Sequence, residues 1–235
     1  MPLRDDTNDA AASDRGIAAA DPVLGEDAAL ALLKKSDLPP EAIEQLSKHG
    51  GIAKSHKVRL AMAAHPRTPR HISIPLLRHL FSCQLMDVAL APRAPAEVRV
   101  AAEEALIHRL ATIPSGQKLS LARRASRRVA EELLLDAELR VMQAALENSR
   151  LTEASMVKAL LHRDASAGFV LAVCHHPMWP LLREVRIALL RSEWTPLVEA
   201  LEFARELPRM LVNEILQASN LPERVKAAVR KQLTI

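Results

Sequence analysis

The sequence predicts an all-α fold, in detail a right-handed α-solenoid of about six to seven short helix-turn-helix repeats. The first observation behind this prediction is composition: 49% of the residues are hydrophobic and 26% are charged, with 6 glycines and no tyrosine. Ala, Leu, Arg and Glu, which favour helices, dominate the chain, whereas the aromatic residues that favour strands make up only 2% of it. The second observation is a recurring break in the helical pattern.

In each break, an Ala-rich apolar run ends at a residue that cannot easily continue a helix, and a helix-starting residue follows three positions later. The clearest copies are Ala64–Pro69, Leu90–Pro95 and His175–Pro180, and weaker copies lie at 36–39, 126–129, 149–152 and 219–222. Proline interrupts a helix interior but is tolerated in the first helical turn, where its missing N–H costs nothing. The breaks recur within the roughly 20–50-residue period of stacked helix pairs.

The breaks divide the chain into helices in order. The first pair runs from Glu26 to Lys35 and then from Pro39 until the glycines at 50–51. In the second pair a short helix ends at Pro66, and the next begins after Thr68, which is placed to cap it, with a bend expected at Pro75. Further helices are predicted at 84–90, 95–110, 118–125, 127–135, 141–146, 152–161, 169–174, 180–190, from 194, 210–217 and 222–233, with a break at 113–116.

One helix pair is too thin to bury both of its faces, so neighbouring pairs are expected to stack through small side chains. The candidates for this seam are Ala61, Ala63, Ala64, Ala101, Ala102, Ala144, Ala145 and Ala172. The alternative is a compact helical bundle in which the matched prolines are coincidental.

Charge divides the chain into an acidic start and a basic remainder. The formal net charge is +4, yet the first 27 residues hold seven acids against two arginines, so they carry −5 and the rest carries +9. Residues 1–25 lack an amphipathic period and are expected to form a disordered acidic tail, with the repeat domain spanning 26–235. A tail without a role and an autoinhibitory tail that shields the basic body both remain open. The basic body admits an anionic partner without requiring one.

Other classes of protein receive no support from the sequence. Cys83 and Cys174 are far apart and fit no ligand spacing, so they are expected to be small hydrophobes in a reducing compartment, with a disulfide as the alternative. No basic-then-apolar leader and no apolar run of membrane-spanning length are present. A cytoplasmic protein without membrane contact is therefore expected.

Two phrases, Val58–Pro69 and Arg140–Thr152, resemble units of the leucine-rich repeat variant and HEAT-like families of bacterial α-solenoids. The resemblance covers about 26–233 and implies a fold but almost no biochemistry. Some leucine-rich-repeat-variant proteins carry an N-terminal cysteine cluster for an iron–sulfur centre. Because no cysteine precedes Cys83, no cofactor is implied here.

Catalytic and metal-binding patterns are not recognisable in the chain. Adjacent histidines at 175 and 176 after Cys174 point in different directions around a helix, and His176 aligns with His65 just before a proline, so a turn or capping role is favoured over zinc. Carboxylate pairs at 103–104 and 131–132 are also adjacent and splayed. The sequence therefore predicts no enzyme, no catalytic residue and no cofactor.

Two groups of residues are candidates for binding. A basic cluster could grip phosphates or acidic side chains, although Glu131 and Glu132 follow two of its arginines at i+4 and would form ordinary surface pairs. Two tryptophans could be partner anchors, with core packing as the alternative. The cluster comprises Lys118, Arg123, Arg124, Arg127 and Arg128, and the tryptophans are Trp179 and Trp194.

These features predict a non-enzymatic scaffold whose curved surface binds a protein or peptide. The alternative is a HEAT-like nucleic-acid-binding protein that contacts phosphates through its basic face. The oligomeric state and the identity of the partner do not follow from the sequence.

Overall fold

The computed structural model describes residues 24–234, so the acidic tail predicted at 1–25 lies almost entirely outside the described residues. Within the described part the chain is all-helical, which confirms the predicted all-α class. Fifteen α-helices and one 3-10 turn follow one another: α1 Glu26–Leu33, α2 Pro40–Lys48, α3 His56–Ala64, α4 Arg70–Leu77, α5 Ser82–Leu90, α6 Ala96–Arg109, α7 Ser115–Ala122, α8 Arg127–Leu133, α9 Leu139–Leu146, α10 Glu153–Leu160, α11 Ala167–Cys174, the 3-10 turn Trp179–Leu181, α12 Arg183–Arg191, α13 Leu197–Arg205, α14 Arg209–Ala218 and α15 Glu223–Thr234.

Helix starts and ends follow the predicted breaks. Prolines occupy the N-cap position of six helices, at 39, 69, 95, 114, 196 and 208. At three further helices a hydroxyl caps the helix: Ser55, Thr152 and Ser166 each accept a hydrogen bond from the backbone N–H three residues on. The helix therefore starts where the local chemistry of the sequence says it should.

Two local expectations are wrong. Thr68 does not cap α4, because its Oγ1 donates to the Met62 carbonyl at 2.6 Å and so satisfies the end of the preceding helix. Thr195 makes the same 2.6 Å bond to Leu189. The helix predicted from Pro180 also starts late, at Arg183, because Leu182 is extended (φ −82°, ψ 132°) and separates the 3-10 turn from α12.

The described chain forms two compact units that divide between Thr112 and Ile113. The sequence predicts a single repeat domain over 26–235 and does not distinguish the break at 113–116 from the other breaks. Unit 1 contains α1–α6, and unit 2 contains α7–α15.

Within each unit a helix packs against the helix two places further along the chain. In unit 1, α3 contacts both α1 and α5, while α4 contacts α6. In unit 2, α9 contacts both α7 and α11, and α8, α10, α12 and α14 follow one another in the same way. Buried side chains fill the space between them; in unit 1 they include Leu38, Ile43, Leu46, Val58 and Met62. Of the predicted alanine seam, Ala63, Ala102, Ala144 and Ala145 are buried.

One backbone pattern marks the end of each helix pair. We call the residue that lies four positions before the next N-cap the lead residue. At five breaks the lead residue's N–H donates to the carbonyl three residues earlier, and its own carbonyl accepts from the N–H three residues later, at distances of 2.9–3.5 Å. These lead residues are Lys35, His65, Ala91, Asn148 and Ser192. By the same count Ala122 is the lead residue of the break before α8. His176 matches His65 in sequence, since Pro177 and Pro180 follow it as Pro66 and Pro69 follow His65. We treat it as the corresponding lead residue, although the next N-cap is Met178 of the 3-10 turn.

Polar side chains at the lead positions bond successive breaks to one another. His65 Nε2 donates to the Lys35 carbonyl at 3.0 Å, and Asn148 Nδ2 donates to the Ala122 carbonyl at 2.7 Å. In both cases one lead residue therefore reaches the lead residue of the preceding break. We call these contacts the cross-repeat bonds.

The arginine two residues after the lead residue repeats the pattern. Arg67 Nη1 donates to the Asp37 carbonyl at 3.1 Å, and Arg150 Nη1 donates to the Arg124 carbonyl at 3.3 Å. Both acceptors also lie two residues after a lead residue, so the register between successive breaks is the same in the two units.

Candidate binding groove

A groove of about 690 Å³ crosses α7, α9 and α11 of unit 2. We call it the unit 2 groove. Its volume falls within the range of about 300–1,000 Å³ that is typical of ligand sites. It is lined by Leu119, Arg123, Leu139, Arg140, Gln143, Ala144, Leu146, Glu147, Gly168, Leu171, Ala172, His175, His176 and Pro177.

The groove forms because α7, α9 and α11, which pack side by side, expose lining residues on the same side. On α9 the lining residues recur at helical spacing, from Arg140 through Gln143 and Ala144 to Glu147. On α11 the same face is formed by Gly168, which adds no side chain, and by positions 171, 172 and 175. Small residues at the centre thus leave room between larger side chains at the ends.

Apolar surface is exposed at this site. Leu139 is 51% and Leu171 41% exposed, whereas Ala144 and Leu146 are buried and close the floor. Exposed leucines on two neighbouring helices offer a partner apolar area that is solvated in the free protein.

The charged groups of the groove are mainly cationic. Arg123 and Arg140 are exposed lining residues, and the single lining carboxylate is that of Glu147. Outside the lining, Glu199 Oε1 lies 3.2 Å from His175 Nε2. The arrangement favours an anionic group over a cationic one.

A smaller groove of about 350 Å³ occupies the corresponding place in unit 1, across α1, α3 and α5. In both grooves the lining includes residues just before and just after lead positions. These are Lys34, Ser36, Ala64, Pro66 and Pro92 in unit 1, and Arg123, Glu147, His175 and Pro177 in unit 2. Both grooves therefore lie beside lead positions, and they differ in the side chains that the chain carries there.

The basic cluster predicted from the sequence is divided among three surroundings. Lys118 Nζ donates to Asp136 Oδ2 at 2.7 Å, and both side chains are mostly buried, so this cation is already used within the fold. Arg127 pairs with Glu131 at i+4, as expected from the spacing. Arg123 lines the groove, whereas Arg124 contributes its carbonyl to a cross-repeat bond.

Arg128 completes the predicted cluster and lies exposed on α8. Glu131, on the same helix, also accepts hydrogen bonds from Ser155 and Lys158 of α10. The acidic side chain therefore serves several partners between two helices.

The two tryptophans have different surroundings. Trp179 is 3% exposed, and its Nε1 donates to the Leu146 carbonyl at 3.2 Å, so this ring packs in the core and is not an exposed anchor. Trp194 is 48% exposed at the break before α13. The Trp179 ring is buried because it lies in the 3-10 turn and points towards α9.

Cys174, His175 and His176 follow one another in sequence but contact different groups. Burial, reinforced by the nearby charge of Glu199, raises the pKa of the Cys174 thiol to about 12. His176 Nδ1 accepts from the backbone N–H groups of Met178 and Trp179, as the predicted turn role requires. Among residues 24–234 no three His, Cys, Asp or Glu side chains are grouped as metal ligands.

Sequence reasoning missed most of the groove. No recognisable functional motif marks the lining residues Leu139, Arg140, Gln143 and Leu171. They are related only by the number of residues that separates each from the next lead residue. The sequence contains this spacing, but it does not show that these positions share one surface. That follows from the packing of α9 against α7 and α11.

No helix in the described part of the chain has both the length and the apolar character needed to cross a membrane. Comparisons of the chain with known protein families, with curated proteins and with solved structures found no match.

Proposed function

We propose that the chain is a non-enzymatic interaction scaffold, a HEAT-like right-handed α-solenoid module in which the unit 2 groove receives a segment of a partner protein. The packing of every second helix and the constant register of the cross-repeat bonds support the solenoid arrangement within each unit. The observation that carries the binding function is the groove, since it combines exposed leucines with free arginine side chains on one surface.

The charge distribution favours a protein partner over nucleic acid. Binding through phosphates needs many unpaired cations along one face. Lys118 and Arg127, two of the five predicted cluster residues, already face carboxylates at 2.7 and 3.7 Å. Exposed apolar side chains such as Leu139 contribute little to phosphate contacts but suit a peptide.

Site-specific photocrosslinking in the cells that express the chain tests this proposal. A photoreactive side chain at Gln143, which is exposed and lines the groove, is expected to form a discrete protein adduct. The matched control carries the same group at Arg163, which is 90% exposed but does not line the groove. Adducts to nucleic acid alone, or equal adducts from both positions, would contradict a protein-binding groove.

A further inference from the structure

His176 corresponds to His65 and Asn148, yet it makes no cross-repeat bond to the described residues. At the two equivalent positions, His65 Nε2 and Asn148 Nδ2 donate to carbonyls of the preceding break. His176 keeps the local part of this pattern, because its Nδ1 accepts backbone N–H groups at 3.2 and 3.4 Å. Its Nε2, however, makes no hydrogen bond to any residue of the described part of the chain.

The tryptophan three residues later explains this difference. Trp179 Nε1 donates to the Leu146 carbonyl and so makes the contact with the preceding pair of helices that a lead residue makes elsewhere. His176 is thereby released from a structural bond while its ring stays fixed by the turn. Since Nδ1 accepts two N–H groups, it carries no hydrogen, and Nε2 is the ring's N–H donor.

The unpaired donor is nine-tenths buried and belongs to the wall of the unit 2 groove. The side chain of His176 is 10% exposed, and the nearest acid is Glu147, whose Oε1 lies 3.4 Å from Nε2 outside hydrogen-bond geometry. The Glu147 side chain is itself 68% exposed and can turn into solvent. A buried polar group without a partner costs free energy that an incoming acceptor would recover.

We propose that the unit 2 groove binds an acidic, apolar peptide segment of a partner protein, and that a carboxylate of this segment accepts the hydrogen bond from His176 Nε2 that Glu147 does not accept. Arg123 and Arg140 supply the complementary charge, and Leu139 and Leu171 receive the apolar side chain next to the carboxylate. The inference rests on the proposed function and adds the chemistry of the partner.

Selection from a displayed library of short random peptides against the full-length chain tests this inference. The selected peptides are expected to share an Asp or Glu beside an aliphatic or aromatic residue. A fluorescent copy of one selected peptide then provides the probe for anisotropy titrations.

Charge reversal in the groove is the first variant test. The double variant Arg123→Glu/Arg140→Glu is expected to bind the probe at least about tenfold more weakly, because it opposes the peptide carboxylate. Arg127→Glu is the matched control outside the groove and is expected to bind like the wild type. Helical circular dichroism and the unfolding midpoint verify that each variant is folded.

Substitution of the unpaired donor is the second test. His176→Asp retains an acceptor for the Met178 N–H but repels a carboxylate, so it is expected to bind at least about tenfold more weakly. His176→Asn reproduces the chemistry of Asn148, with an acceptor and a donor, and is expected to bind more tightly than the Asp variant. Equal affinities of these two variants would overturn the role of His176.

The outcomes separate the inference from the proposed function. Selected peptides that lack acidic residues, or that bind the Arg123→Glu/Arg140→Glu variant as tightly as the wild type, overturn the acidic partner and leave a protein-binding groove intact. A selection that enriches no peptide overturns the inference, whereas the crosslinking at Gln143 decides the proposed function independently.

Discussion

His65, Asn148 and His176 occupy one structural position yet have different roles. His65 Nε2 and Asn148 Nδ2 each donate a hydrogen bond to a carbonyl of the preceding break. His176 Nε2 has no such partner among the described residues, because Trp179 Nε1 makes the contact with the preceding helix pair instead. A single aromatic residue has thus converted a structural side chain into a candidate binding group. The sequence showed that these residues align, but not how their donors are used, because the acceptors are backbone carbonyls that leave no signature in the sequence.

The pH dependence of stability tests whether burial holds the Cys174 thiol in its neutral form. Its pKa is raised from the ordinary value of 9.0 to about 12, so above pH 9 the unfolded chain loses the thiol proton while the folded chain keeps it. The folded state then binds more protons, and stability must fall as the pH rises between these values, by at most about 1.4 kcal/mol per pH unit for one proton. We expect the free energy of unfolding of Cys174→Ala to fall less steeply than that of the wild type in this interval.

Urea unfolding at a series of pH values on both sides of pH 9 measures these slopes. Cys83→Ala is the control, because Cys83 is exposed and its removal should leave the slope unchanged. Parallel slopes for the wild type and Cys174→Ala would show that the thiol is not held in its neutral form by burial.

Helix boundaries were largely predictable because they depend on local chemistry. Prolines and capping hydroxyls act within one turn of the chain, so α6 at Ala96–Arg109 and α10 at Glu153–Leu160 lie within a residue or two of their predicted limits. The role of Thr68 and the late start of α12 were missed, since both depend on hydrogen bonds to a neighbouring segment. The pairing of Lys118 with Asp136 was missed for the same reason, because 18 residues separate the partners.

The cross-repeat bond of Asn148 is the element-scale contact with the largest expected effect. Asn148 is 2% exposed, and its side chain donates to two carbonyls of the break after α7 and accepts the Arg150 N–H. Asn148→Ala leaves these buried groups unpaired, and we expect a loss of about 2–3 kcal/mol in the free energy of unfolding. Asn148→His, which copies His65, is expected to recover part of this loss.

Chemical denaturation with a shared m-value measures the effect, and Asn213→Ala, at an exposed position of α14, is the matched control. A change below about 0.5 kcal/mol in Asn148→Ala, the range typical of surface substitutions, would mean that the cross-repeat bonds do not hold successive helix pairs in register.

At the scale of the whole molecule, the two units share a construction but differ in what their grooves carry. The unit 1 groove has Lys34 and Arg93 beside alanines and prolines, and it is about half the volume of the unit 2 groove. The two grooves thus lie at corresponding places beside lead residues, and the side chains near those residues set the chemistry of each groove.

The boundary at Thr112 makes a prediction about the independence of the units. Residues 111–117 are exposed except for Ile113, and all the helix contacts described above lie within one unit or the other. A specific protease site inserted between Thr112 and Ile113 should therefore be cut in the native protein, and the helical circular dichroism should persist, because each half keeps its own buried core.

The control is the same site between Arg163 and Asp164, where cutting separates α10 from α11 inside unit 2 and should lower the thermal midpoint of unit 2. Loss of helicity after cleavage at the first site but not at the second would place the cooperative boundary elsewhere, since it would mean that the helices on either side of Thr112 depend on a common core.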